Sequence, residues 1–270
     1  MGLTEFLLFI VAGCLIGFLA GLFGVGGGIM MVPVLVFSYD HAGISPSVLT
    51  HVAIGTSLFV VLFASISSAY QHRKQRNIDW RAVLLIGWSS ALTAFGTSRV
   101  AAILSGRHLR VAFTLVVVTA GIRMLTEGEP QAKKELERSS PPSSIRLAVI
   151  GVTAGVVSAL AGVGGGVITI PMMYYLVNMP LKLAIGTSSA AIFITAAFSV
   201  LGYIFNGMGR EGLPPWSIGF VDLQRGAALA IGSLLMARVG AYVSFRTHPR
   251  RLTKLFALFI ISVSIYMLLK

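Results

Sequence analysis

The sequence carries one glycine-rich stretch twice: LFGVGGG at residues 22–28, followed by Pro33, and LAGVGGG at residues 160–166, followed by Pro171. Within a helix, glycine costs about 1 kcal/mol per residue relative to alanine. Proline downstream removes a further backbone hydrogen bond. A helix cannot easily continue through four glycines in five positions. The pattern therefore predicts that each stretch interrupts a helix.

Both glycine stretches lie inside unusually long apolar runs. No Asp, Glu, Lys or Arg occurs at the 34 positions between Glu5 and Asp40, or at the 35 between Arg146 and Lys182. A continuous helix of that length would measure about 51 Å at 1.5 Å per residue, whereas a bilayer core is about 30 Å thick. Hydrophobic residues make up 56% of the chain and charged residues 11%, far below the roughly 25% of soluble domains. These features predict an all-α, polytopic membrane protein.

Two further motifs recur in the same order as the glycine stretches. AIGTS occurs at residues 53–57 and again at 184–188, and the pairs Ile78-Asp79 and Val221-Asp222 each open another apolar segment. Repetition of three motifs in one order indicates a duplicated unit. Both aspartates stand where a residue would cap the N-terminus of a helix.

The duplication divides the chain into an N-terminal membrane repeat at 1–127, a polar linker at 128–144 and a C-terminal membrane repeat at 145–270. Each repeat is predicted to contain four hydrophobic segments, of which the first is broken at its GVGGG motif. The predicted segments are 4–39, 47–70, 81–104, 108–126, 146–177, 183–205, 223–245 and 252–269.

Two topologies are consistent with this pattern. If each broken segment crosses the membrane once, the halves are parallel, and the basic cluster around Arg250 falls outside the cell. If each broken segment enters and leaves on one side, the halves are inverted. The clusters around Arg73 and Arg250 then both face the cytoplasm, as the positive-inside rule requires. The inverted version is favoured, since inverted repeats are common among transporters.

The glycine motifs are the principal candidate site. Unwound backbone in a membrane is tolerated only where it lies inside protein or lines a cavity, and a helix N-terminus attracts anions. The alternative is that these glycines only allow close helix packing. The candidate substrate-binding glycines are Gly24, Gly26, Gly27, Gly28, Gly162, Gly164, Gly165 and Gly166.

Hydroxyl and basic side chains at matching places extend this candidate site. Thr56, Ser57, Thr187 and Ser188 could bind oxyanion oxygens, although such hydroxyls also bond to helix carbonyls or join helices. His51 and Lys182 occupy equivalent positions before the two AIGTS motifs, and Arg238 lies inside an apolar segment. These three could guide an anion, or extend to the membrane surface as long basic side chains do.

Several other classes of protein are disfavoured. The formal charge of +12 is distributed between apolar segments, so we expect no nucleic-acid partner. Cys14 is the only cysteine, the five histidines show no metal-ligand spacing, and GVGGG lacks the βαβ setting of a dinucleotide site. We therefore expect no metal, no cofactor and no enzymatic activity.

The doubled GVGGG motif, the doubled AIGTS motif and Asp79-Trp80 together resemble the TauE/SafE family of sulfite and organosulfonate exporters over nearly the whole chain. This resemblance implies export of a small sulfur-containing anion across a bacterial cytoplasmic membrane. We interpret the protein as a carrier that works by alternating access around a site at the membrane midplane. The alternative is an anion channel of the same architecture. Leu223 stands where the first half has Trp80, so the second half departs slightly from the pattern. Formation of a homo-oligomer is left open.

Overall fold

The computed structural model describes residues 2–104 and 142–248, together with the single residues 111, 255 and 258. The described chain is almost entirely helical, with one two-stranded antiparallel ribbon that pairs Ser217 with Asp222 and Ile218 with Val221. In chain order the elements are α1 Leu3–Phe23, α2 Gly28–His41, α3 Pro46–Lys74, α4 Trp80–Ile103, α5 Ser144–Ala161, α6 Gly166–Leu176, α7 Leu181–Gly207, β1 Ser217–Ile218, β2 Val221–Asp222 and α8 Leu223–Arg246.

Five of the described helices, α1, α3, α5, α7 and α8, are long and apolar enough to cross a membrane. Helix α4, with 24 residues, is also long enough to cross a membrane but is less apolar than these five helices. The prediction of an all-α polytopic membrane protein is confirmed. The predicted segments 108–126 and 252–269, and most of the linker 128–144, lie outside the described residues.

The two aspartates identified in the sequence begin helices. Asp79 accepts a hydrogen bond from the backbone N–H of Ala82 (3.1 Å) at the start of α4. Asp222 accepts from the N–H of Gln224 (2.9 Å) and of Arg225 (3.2 Å) at the start of α8. Each carboxylate thus satisfies N–H groups that have no partner within the helix. The predicted capping role is confirmed at both positions.

Close contacts between glycines and facing backbone define how the helices run relative to one another. Three glycines spaced four residues apart in α1 contact three residues spaced four apart in α8, in the same order along the chain. These two helices are therefore parallel. The facing pairs are Gly13 with Leu229, Gly17 with Ser233 and Gly21 with Ala237. Helices α5 and α4 are parallel for the same reason, since Gly151 faces Ile86 and Gly155 faces Ser90.

The two central helices, α3 and α7, are antiparallel. Gly55 near the start of α3 meets Tyr203 near the end of α7, and Gly186 near the start of α7 meets His72 near the end of α3. Helix α8 runs parallel to α3, because Gly226 faces Thr56 and, further along both helices, Arg238 lies over Tyr70. Helix α4 runs parallel to α7, because contacts between them advance along both helices in the same direction. Consequently α1, α3 and α8 run in one direction and α4, α5 and α7 in the other.

Because α1 and α3 are parallel, α2 between them must run back. Glu5 at the start of α1 and Ser38 near the end of α2 both bond to Arg225, so α1 begins and α2 ends at one end of the molecule. Helices α1 and α2 therefore form a hairpin, and α5 and α6 are arranged in the same way. One end of the molecule contains the C-termini of α3 and α8 and the N-termini of α4, α5 and α7. We call it the basic end.

Candidate substrate site

The helices are interrupted at both glycine motifs. Helix α1 ends at Phe23 and α2 begins at Gly28, with φ of +83° at Gly26 and at Gly27. Helix α5 ends at Ala161 and α6 begins at Gly166, with the intervening glycines again at positive φ. Residues that carry a Cβ rarely adopt this backbone conformation, which is why glycine is required here. We call residues 24–28 and 162–166 the glycine loops.

The two glycine loops touch at the centre of the molecule. A Cβ on Gly28 would overlap the carbonyl of Gly162, and one on Gly166 would lie 2.7 Å from the Cα of Val25. Gly26 and Gly164 both face the same two side chains, Val61 and Ile192, which lie near the middle of α3 and of α7. The contact between the loops is therefore at mid-depth along the two longest helices. The sequence analysis did not identify Val61 and Ile192.

Several backbone N–H groups in the two loops belong to buried glycines and have no acceptor in the part of the chain that the structure describes. Within the described ranges, no hydrogen bond is made by the N–H of Gly26 or Gly28, nor by that of Gly164 or Gly166. More than 90% of buried backbone N–H groups in proteins are paired. These amides stand at the N-termini of α2 and α6, which each carry roughly half a positive charge. Chemically, the paired loops present donors to the centre of the protein, and none of the acidic side chains in the described ranges lies there.

The serines of the two AIGTS motifs bind the opposite glycine loop. Ser57 Oγ donates to the carbonyl oxygen of Gly162 (2.9 Å), and Ser188 Oγ donates to the carbonyl oxygen of Gly24 (3.2 Å). Both serines are fully buried. In this conformation their hydroxyl hydrogens hold the loops and cannot also be donated to an anion. A role in substrate binding stays a prediction for a state in which the loops have moved.

The threonines of these motifs make a second matched pair of contacts. Thr56 Oγ1 accepts a hydrogen bond from the N–H of Asp222 (2.9 Å), and Thr187 Oγ1 accepts one from the N–H of Asp79 (3.0 Å). Thr56 also lies 3.2 Å from the hydroxyl of Tyr39. Each AIGTS motif is thus joined to the capped start of a helix in the other half of the chain.

The predicted guiding residues His51 and Lys182 lie at the ends of helices. His51 Nε2 is 3.2 Å from the carbonyl oxygen of Ala101 and 3.1 Å from that of Leu104, in the last turn of α4. Lys182 Nζ donates to the carbonyl of Phe245 (2.7 Å) in the last turn of α8. Helix C-termini attract basic groups, so these contacts explain both residues without a substrate. Their guiding role stays a prediction.

Arg238 is exposed and lies away from the glycine loops. Its guanidinium is 4.5 Å above the ring of Tyr70, whose other cationic contact is the ammonium of Lys74 at 5.0 Å. The structure therefore groups Arg238 with the basic residues that follow the end of α3. A role there would concern anions approaching the protein and not those bound at its centre.

Sequence reasoning missed a buried ionic cluster at the opposite end. Arg225 bonds to Asp222 Oδ2 (3.1 Å), Glu5 Oε1 (3.3 Å) and Ser38 Oγ (3.1 Å), and Tyr39 donates to Asp222 Oδ2 (3.2 Å). Spacing alone could have suggested the Asp222–Arg225 pair, because residues three apart are neighbours on a helix. Nothing local indicates the other partners. We call these five residues the Arg225 cluster.

A multi-pass helical membrane protein with donors buried at its centre has the construction of a transporter. The chain belongs to the sulfite exporter TauE/SafE family, whose profile matches residues 9–267. It is similar to a probable membrane transporter protein of Haemophilus influenzae, with 30% identity over 99% of both chains. A probable membrane transporter protein of Methanocaldococcus jannaschii shares 30% identity over 98% of this chain and 97% of its own. No solved structure matches the chain.

Proposed function

We propose that this protein exports small sulfur-containing anions, such as sulfite or organosulfonates, by alternating access around the two glycine loops. The observation that carries the proposal is the set of buried N–H groups in these loops that have no acceptor among the described residues, at two helix N-termini that meet at mid-depth. Such termini bind anions in proteins, and carriers commonly place them at the membrane midplane. The name of the family supplies the class of anion.

We further propose that residues 1–127 and 145–270 are inverted repeats. Helices at corresponding places in the two halves run in opposite directions, and the serine, threonine and glycine contacts described above each occur twice with the halves exchanged. An anion between the loops would then have equivalent surroundings toward either face of the membrane. That equivalence is what a carrier requires in order to open to one side and then to the other.

The distribution of charge supports an orientation for the protein. Among the described residues, the basic end collects the positively charged residues that flank its helices, whereas the opposite end carries nearly equal numbers of acidic and basic residues. By the positive-inside rule, the basic end would face the cytoplasm of a bacterial cell. The described basic residues at this end are Arg73, Lys74, Arg76, Arg81, Arg146, Lys182, Arg238 and Arg246.

The direct test is transport by purified protein in liposomes. We expect uptake of labelled sulfite or an organosulfonate, with acetate as the comparison anion, and acceleration of efflux by substrate on the opposite side. A carrier shows this acceleration because the loaded protein reorients faster than the empty one. An anion channel of the same architecture would conduct without it. Absence of flux for every sulfur-containing anion would contradict the proposal.

Alanine at the glycine loops tests the site itself. Gly27→Ala and Gly165→Ala place a Cβ at positive φ, which costs about 1–2 kcal/mol. The added Cβ would also lie 3.0 Å from the Cβ of Ala20 in the first variant and 2.8 Å from the carbonyl oxygen of Ala154 in the second, so neighbouring atoms must shift. We expect each variant to be monodisperse in detergent with transport reduced at least several-fold. Gly43→Ala is the matched control, because Gly43 has a φ of +71° in an open turn with nothing within 4 Å of an added Cβ.

The comparison with the control separates strain from function. All three variants carry the same kind of backbone strain, and the two loop variants add a close contact, so their thermal stability should fall further than that of Gly43→Ala. Only the two loop variants should lose transport. Equal transport in all three variants would show that the glycine loops do not line the substrate path, whereas unfolding of both loop variants alone would support a packing role.

A further inference from the structure

Three polar side chains at the end of α3 have buried atoms without partners. His72 is 1% exposed, and neither of its ring nitrogens has a hydrogen-bond partner among the described residues. The side-chain oxygen of Gln75 and the side-chain nitrogen of Asn77 are likewise buried and unpartnered. We call these three residues the α3-end cluster. Buried polar groups in proteins are bonded to protein, water or a ligand, so this cluster requires an explanation.

The α3-end cluster lies against the second AIGTS motif. An added Cβ on Gly186 would overlap the carbonyl oxygen of Asn77 and lie 3.1 Å from the Cβ of His72. The next two residues of that motif are Thr187, which binds the backbone before α4, and Ser188, which binds the first glycine loop. The cluster is therefore one helical turn from the residues that hold the central site.

At the corresponding place at the opposite end, the two residues that face the glycine are a bonded tyrosine and a phenylalanine. There Gly55 meets Tyr203 and Phe220, which take the places of His72 and Asn77. The hydroxyl of Tyr203 donates to the carbonyl oxygen of Ala159 at 2.6 Å. Buried unpartnered atoms occur at that end as well, on Thr50, His51 and Ser217. Among the described residues, however, His72 is the one histidine with both ring nitrogens buried and unpartnered, since Nε2 of His51 is bonded.

The chemistry of the cluster suits a small oxyanion. Asn77 and one nitrogen of His72 offer N–H donors, and the Gln75 oxygen with the other nitrogen of His72 offers acceptors. Arg73, Lys74 and Arg76 surround these groups with positive charge at the exposed end of α3. Donors in a positive field attract an oxyanion, and the acceptors suit one that carries a proton, such as hydrogen sulfite.

We propose that His72, Gln75 and Asn77 form a loading site for a small oxyanion at the basic end, before the anion reaches the glycine loops. This inference rests on the proposed function and adds to it a second subsite on one face only. Loss of a loading site should weaken the apparent affinity for substrate at that face more than it lowers the maximal rate.

The test compares His72→Leu with Tyr203→Phe in the liposome assay with sulfite. Leucine removes only unpartnered polar atoms, so it should leave the fold at least as stable. We expect His72→Leu to raise KM about tenfold or more, because it removes donors from the anion. Tyr203→Phe removes the hydroxyl at the matched position and should leave KM unchanged. Asn77→Ala, which keeps the backbone carbonyl against Gly186, provides a second variant should leucine impair folding.

A binding measurement makes the outcomes distinct. Sulfite should raise the thermal midpoint of the wild-type protein in detergent, because a ligand that binds only the folded state stabilises it. His72→Leu and Asn77→Ala should each reduce that shift. If the wild type transports sulfite and a folded His72→Leu or Asn77→Ala variant retains its KM, the α3-end cluster holds water only and the inference is overturned. If the wild type neither binds nor transports any sulfur-containing anion, the proposed function fails as well.

Discussion

Replacing Arg225 with glutamine tests the ionic cluster at the end opposite to the basic one. The side chain of Arg225 is 11% exposed and that of its partner Asp222 is 1% exposed, whereas Glu5 is 41% exposed. Arg225→Gln therefore leaves the Asp222 carboxylate buried without its cation. Removing one partner of a buried pair costs about 3–5 kcal/mol.

The expected effect is large enough to measure directly. One kcal/mol shifts the thermal midpoint of a chain of this size by about 2–4 °C, so Arg225→Gln should lower the midpoint in detergent by roughly 6–20 °C. Glu5→Gln is the matched control. Because the Glu5 side chain is 41% exposed, its ion pair contributes about 0–1 kcal/mol, and the midpoint should change by no more than about 4 °C. Intrinsic tryptophan fluorescence during heating measures both variants.

A second substitution checks the physical reason. Asp222→Asn in the Arg225→Gln background removes the uncompensated charge, and asparagine caps a helix about as well as aspartate. We expect the double variant to recover part of the lost stability. An Arg225→Gln protein whose midpoint lies within about 2 °C of the wild type would refute the reasoning, since no buried carboxylate could then have lost its partner.

Two further predictions concern topology and the basic pair. In a cysteine-free background, single cysteines at Gln75 and Thr247 should both react with an impermeant maleimide from the cytoplasmic side only, and reaction from opposite sides would contradict inverted halves. Combining His51→Gln with Lys182→Gln should raise the transport KM by a larger factor than the factor by which it lowers expression. An unchanged KM with a lower thermal midpoint would instead assign both residues to the helix ends that they bind.

The interruption of α1 could be predicted from sequence because its causes are local. Glycine and proline act on the backbone within a few residues, and both motifs contain the same combination. The direction of the helices could not be read in this way. Two topologies fitted the spacing of the motifs, and the difference between them depends on contacts such as that of Gly17 with Ser233.

The clusters were missed for a related reason. Arg225 and Glu5 are 220 residues apart, and Tyr39 and Asp222 are 183 apart, so no window of sequence contains both partners. His72 stands beside Arg73 and Lys74, and that setting suggests a solvated basic loop. Burial of the imidazole follows only from the packing of α7 against the end of α3.

The pairing of α1 with α8 has a consequence for biogenesis. Gly13 meets Leu229, and Gly17 and Gly21 likewise contact residues of the last described helix. At about 5–20 residues per second, the ribosome needs roughly 10–40 s to synthesise the roughly 200 residues between these partners. During that interval the glycine face of α1 lies in lipid or beside the insertion machinery, without the backbone that later covers it. Helix α1 therefore waits for its native neighbour until α8 has been made, and an N-terminal half without α8 should be a substrate for membrane quality-control proteases.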